Sequence, residues 1–158
     1  MSNTQAMCTS FMGELLTATH NFGTAPVRAA TTADTFKAAL YLTTATVNAS
    51  TTAYSATNEV SGTNYSAGGV VVTNATAPAA TNSSATAGVA YWTPSASITY
   101  TNVTLTTAFD TVLIYNSTQS NKSVSVHTFG SQTITAGTFT LTMPTNDTST
   151  ALLRLSTT

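Results

Sequence analysis

The chain has 158 residues and a formal net charge of −1, and only 6% of its residues are charged. This length fits one domain, and so few and scattered basic residues argue against a surface that neutralises nucleic-acid phosphates. Threonine makes up about a quarter of the chain. Because β-branched threonine favours strands, the composition predicts an all-β protein.

The N-terminal region predicts a short helix within an arm. Residues 1–8 are polar, and residues 9–22 carry apolar side chains at helical spacing, from Phe11 through Leu15 to Phe22. A linker follows, so we expect residues 1–33 to form an arm with a short helix and residues 34–158 to form one β-domain.

The start of the chain lacks the basic and apolar regions of a secretory signal peptide. No apolar run approaches the length of a membrane helix. We therefore expect synthesis and assembly in a host cytoplasm and no membrane contact.

Three segments follow in the first half of the β-domain. Residues 34–43 alternate between apolar and polar positions and predict a strand, although their Ala, Lys and Leu would also suit a helix. Residues 70–72 are all valine and predict a buried strand. Residues 73–88 are small and polar, which predicts a surface loop or a weak sheet edge.

The next predicted strands are residues 89–92 and 97–106. In the second, the apolar phase changes between Tyr100 and Val103. One extra residue at Asn102 would explain the change, so the pattern predicts a bulge or a break there.

Residues 111–129 predict a hairpin, because an apolar run, a polar turn and an alternating run follow one another. Residues 138–144 alternate Phe, Leu and Met with Thr and predict another strand, and residues 151–155 predict a short last strand or arm. About eight strands with short turns predict an antiparallel β-sandwich or a jelly-roll-like barrel.

Chemistry-bearing residues do not form a recognisable motif. The two histidines, His20 and His127, have no nearby nucleophile and carboxylate in sequence, and Cys8 is the only cysteine. The five acidic residues are isolated, although two of them could converge in space as in a glycosidase. We therefore expect no catalytic residue, no metal site and no cofactor: the chain is predicted not to be an enzyme.

Aromatic residues allow one binding hypothesis. Tyr91 and Trp92, with Tyr54 and Tyr65, could form a surface platform for a sugar. The alternative is that Trp92 packs in the core or at a sheet edge.

Two segments resemble a known family. TNEVSGTNYSAGGVVV (57–72) and VLIYNSTQSNKSVSVHTFGS (112–131) are similar to segments in a family of small structural proteins of tailed bacteriophages. SFMGELLTATHNF, DTFKAALYL and the closing GTFTLTMP strand extend the resemblance from about residue 8 to residue 155. The region 73–96 departs from the family pattern.

The resemblance implies a virion protein that decorates or cements the capsid exterior, with the major capsid protein and copies of itself as partners. We expect a homo-oligomer. The alternative is a tail, neck or fibre component that binds a receptor or glycan. The predicted docking anchors in the arm are Phe11, Met12, Leu15, Leu16 and Phe22, unless this helix packs on its own sheet.

Overall fold

A computed structural model describes residues 3–8, 11, 15, 19–20, 22, 33–73, 78–81 and 88–156. The predicted all-β class is confirmed. The strands are β1 (Ala6–Met7), β2 (Phe36–Leu42), β3 (Val70–Val72), β4 (Ala79–Ala80), β5 (Val89–Trp92), β6 (Ile98–Asn116), β7 (Lys122–Leu141) and β8 (Leu153–Ser156).

The strands form two antiparallel sheets. One has five strands in the order β1-β7-β6-β2-β3, and the other has three in the order β4-β5-β8. Neither sheet closes into a barrel among the described strands, so a sandwich fits better than a barrel. Buried aromatic side chains join the sheets, since the rings of Phe36 on β2 and Trp92 on β5 have centroids 6.1 Å apart.

The first predicted strand is confirmed, and the helical alternative for residues 34–43 is wrong. Strand β2 pairs with β3 on one side and with the second half of β6 on the other. Its side chains are nearly all buried, which favours a pleated central strand over a helix with one solvated face.

The N-terminal helix lies mostly outside the described residues. Phe11 and Leu15 are helical, and their neighbours in the predicted helix are not described. The arm prediction for residues 1–8 is refined, because Ala6 and Met7 pair with β7 and Cys8 is fully buried. In the region 73–88, the two exposed residues of β4 form the predicted weak edge.

The largest difference from the sequence prediction is the length of β6 and β7. The predicted strands 97–106 and 111–115 are one strand of 19 residues, and β7 has 20 residues and includes most of the predicted strand 138–144. Pairing continues across five shifts of register between the two strands. The predicted bulge at Asn102 is confirmed, since this residue has a φ of 52° and a register shift falls between Tyr100 and Val103.

The β6–β7 ribbon bends sharply. Phe129 and Phe139 lie on the same strand and would be about 33 Å apart if it were straight. Their ring centroids are only 5.2 Å apart, and the ring of Phe109 on β6 contacts both, at 5.9 and 5.2 Å. Bulges bend strands in this way at the corners of sandwiches. The outer half of the ribbon therefore folds back around Phe109.

A glycine pair fixes the loop before β3 against β2. Gly69 has a φ of +71°, and a Cβ built on it would lie 1.7 Å from the carbonyl oxygen of Ala38. No other residue type fits both the backbone conformation and the space. This close approach starts β3 beside β2.

We predict opposite effects of alanine at two glycines. Gly69→Ala should lower the free energy of unfolding by more than the ~1–2 kcal/mol of left-handed strain alone, because the overlap with Ala38 adds to it. Gly130→Ala, in β7 with no atom within 4 Å of its Cβ, should be neutral or stabilising. Urea titrations of both variants check this, and equal losses would contradict it.

Candidate functional site

Glu59 is the centre of the largest buried polar cluster. Its carboxylate accepts hydrogen bonds from the hydroxyls of Tyr54 (2.6 Å) and Tyr65 (2.7 Å) and from the backbone N–H of Gly68 (2.7 Å). The hydroxyl of Tyr65 in turn accepts the N–H of Leu40 at 3.0 Å. Three donors satisfy a buried carboxylate that has few other partners.

More tyrosines surround this cluster and lie in the core. Tyr54 stacks on Tyr115 with ring centroids 4.7 Å apart, and Tyr65 stacks on Tyr100 at 5.9 Å. Burial raises the pKa of Tyr115 to about 12, with the charge of Glu59 as the second cause. Burial, and then the hydrogen bond to Glu59, also raises the pKa of Tyr54 and Tyr65. These hydroxyls therefore stay protonated and act as donors.

The Glu59 cluster holds together the loop of residues 43–69, which bonds through its main chain to β2 at Leu40 and Leu42. Its donors come from the loop, while Leu40 and Tyr115 belong to β2 and β6. The acidic residues are isolated in the sequence, so the pattern did not predict this arrangement. The signal that could have indicated it is the spacing of Glu59, Tyr65 and Gly68 within residues 57–72.

We predict that Tyr65→Phe lowers the free energy of unfolding by about 1–3 kcal/mol, because it leaves the buried N–H of Leu40 without its acceptor and Glu59 with one donor fewer. Tyr91→Phe, at a half-buried position on β5, is the control and should change little. Urea titration measures both. Equal stabilities of the two variants would show that the cluster does not hold the loop.

A second polar cluster stabilises the hairpin turn. The side-chain oxygen of Asn116 accepts the N–H groups of Thr118 and Gln119, both at 3.1 Å, as in an Asx turn. Its amide nitrogen donates to Asp34 at 2.7 Å and faces Nδ1 of His20 at 3.0 Å. An amide nitrogen only donates, so Nδ1 of His20 is the acceptor and carries no proton. This carboxylate and imidazole are buried and support the turn.

His127 also lies in a largely buried environment. Its Nε2 lies 2.9 Å from the hydroxyl of Ser125, and burial lowers its pKa to about 4, so the ring is neutral at neutral pH. The geometry resembles a nucleophile with its base. However, Ser125 is only 1% exposed, so its hydroxyl cannot reach a substrate in this conformation.

The predicted docking residues lie in different environments. Phe11 and Phe22 are buried in the chain's own core, where Phe22 stacks on Phe36 at 4.4 Å. The prediction that these two side chains reach a partner is corrected: in this structure they pack on their own sheet. Leu15 is half-buried, and Met12 and Leu16 lie outside the described residues.

The aromatic platform does not form. Trp92 is 3% exposed, and its ring packs edge-on against Phe22 at 4.8 Å. Tyr54, Tyr65 and Tyr91 are all half-buried, but the hydroxyls of Tyr54 and Tyr65 bind Glu59 instead. The alternative in which Trp92 is a core residue is confirmed.

An apolar groove of about 130 Å³ lies beside these residues. Leu155 at its rim is 41% exposed. The groove is lined by side chains from the N-terminal segment and from the three-stranded sheet: Met7, Phe11, Leu15, Phe22, Pro78, Ala90, Tyr91, Trp92, Leu153 and Leu155.

Two kinds of site are not found within the described ranges. They contain no group of three His, Cys, Asp or Glu side chains placed to hold a metal ion. The same ranges contain no helix with the length and apolar character needed to span a bilayer.

The outer edge of β7 is the largest open strand edge. Past Val126, the described strands pair with β7 only through β6, so its other edge is open from residue 128 to 141. Most of this stretch is exposed, and it contains no charged residue. Natural edge strands usually carry charges that prevent pairing with other chains. This open edge is the best candidate surface for contact with a protein.

Comparison with protein-family models, with curated proteins and with solved structures finds no match.

Proposed function

We propose that the chain is a non-enzymatic structural protein of a bacteriophage particle, which decorates the capsid exterior by docking on the major capsid protein. The observation that carries the proposal is the open, uncharged edge of β7, which suits a chain whose strand edge is covered by a protein neighbour within an assembly. The resemblance of residues 57–72 and 112–131 to phage structural proteins supplies the biological setting.

The two segments that resemble phage structural proteins stabilise the fold. Within residues 57–72, Glu59 and Tyr65 form the buried cluster, and Gly62 lies so close to Thr104 that a Cβ would come within 1.9 Å of its carbonyl oxygen. Within residues 112–131, Asn116 holds the turn. Segments that stabilise the fold and contain no reactive side chain suit a protein whose function is to bind and cover another protein.

A strand edge without charged side chains suits permanent assembly. Burying an unpaired charge costs several kcal/mol by the usual order of magnitude, whereas a threonine-lined edge can exchange water for main-chain hydrogen bonds. Attachment through such a surface depends little on salt, because few charges are available to be screened. These properties support a protein that stays on the particle after release from the cell.

A tail, neck or fibre component is the alternative role, and the open edge would serve it equally. Its receptor-binding or glycan-binding form has less support, because Trp92 is buried and the aromatic platform is absent. The two locations differ in the number of copies that a particle holds.

We predict that purified phage particles carry this chain in a copy number similar to that of the major capsid protein. Quantitative mass spectrometry of particles, with the major capsid protein and a tail protein as internal references, measures it. A copy number like that of the tail protein would support the alternative location. Absence from the particle would overturn the proposed function.

A further inference from the structure

The open edge of β7 differs from the other edges of the five-stranded sheet. At the far side of the sheet, β3 has only three residues. The outer half of β6 is bridged to the loop through Thr63 and Thr104. Strand β1 covers β7 only at Val126 and Ser125, and Thr4 already bonds to Val47, so the N-terminal chain has left β7 by that residue.

The sequence along this edge is symmetric about Ile134 at three of the six offsets from one to six residues. The matching pairs are Thr133 and Thr135, Phe129 and Phe139, and Thr128 and Thr140. Two antiparallel strands related by a two-fold axis through Ile134 would therefore place like residues opposite one another at these three positions. Threonine and aromatic pairs are favourable across antiparallel strands.

The bend in the ribbon has the same centre. Phe109 contacts Phe129 and Phe139, five residues before and five after Ile134. A two-fold axis normal to the sheet keeps the inner faces of both strands on the same side. The bent ribbons of two copies would then curve in the same direction and could lie side by side.

Charge also favours a second copy. A self-contact places each ionised side chain near its own equivalent, and like charges directly opposite are destabilising. Residues 128–141 contain no charged residue. The ionisable residue that directly precedes this stretch on β7, His127, is neutral at neutral pH because burial lowers its pKa to about 4.

We propose that a second copy of this chain pairs on the open edge of β7, antiparallel, about a two-fold axis through Ile134. In this register, Thr128 of each copy faces Thr140 of the other copy. The register shifts around Ile134 interrupt the ladder near the axis, so the main-chain bonds form on the two flanks, between residues 128–131 and residues 137–140. This inference rests on the proposed assembly role and adds the surface and its occupant.

The test uses two double variants with the same positions and similar side-chain bulk. T128K/T140K places lysines opposite each other in the proposed dimer, whereas T128K/T140E places a lysine opposite a glutamate at both contacts. Sedimentation velocity across the micromolar range should show a dimer for the unaltered chain, loss of the dimer for T128K/T140K, and a retained dimer for T128K/T140E. Near-ultraviolet circular dichroism confirms that each variant is folded.

Three results would overturn the inference: a monomeric unaltered chain, a dimer that T128K/T140K retains, or loss of the dimer in both folded variants. A monomeric chain that is abundant in particles would overturn this inference and leave the proposed function standing. A dimeric chain that is absent from particles would overturn the proposed function and leave this inference standing.

Discussion

The pairing of β6 with β7 is the contact on which the rest of the structure depends. The two strands are joined by one short turn, and each of the other strands of the five-stranded sheet attaches to them directly or through β2. Local hairpin pairing of this kind costs little loop-closure entropy, so it can form before the sheet is complete. Asn116 and Asp34 fix the turn at one end, and Phe109 fixes the bend in the middle.

Long strands with so few charges would normally invite unwanted pairing, and the shape of β6 and β7 limits it. Register shifts interrupt β6 and β7 at five places, and a sharp bend separates their halves. Bulges twist and bend an edge, which prevents a long regular ladder with an arbitrary strand. A partner that pairs here must share the bend, and this requirement replaces the selectivity that charges give to other edges.

Much of the fold could be predicted from the sequence, because strands with one buried face alternate in polarity. The strand at 36–42 and the bulge at Asn102 could be predicted from the phase of apolar residues. The valine run also predicted a strand correctly, but the prediction that it is buried is wrong, because Val71 is 61% exposed. The continuity of β6 could not be predicted, because Thr106 and Thr107 interrupt the apolar pattern while pairing continues through the bulges. Long-range contacts leave no such periodic signal.

The candidate site was harder to predict for the same reason. The hydrogen bonds of Glu59 join residues of one loop that the sequence shows only as scattered tyrosines and a glycine. Phe11, Phe22 and Trp92 were candidates for contact with a partner, yet all three are core residues, because an apolar side chain looks the same in sequence whether it meets its own sheet or another protein. An open strand edge is a property of topology, so no motif could indicate it.

Hydrogen–deuterium exchange of the chain, dilute in solution and within phage particles, gives a direct answer. If the edge of β7 is the surface through which the chain assembles, the amides of residues 128–141 that do not bond to β6 exchange readily at concentrations below dimer formation and become protected in particles, while those of residues 111–115 are protected in both. Unchanged exchange along residues 128–141, with new protection on another surface, would contradict the account.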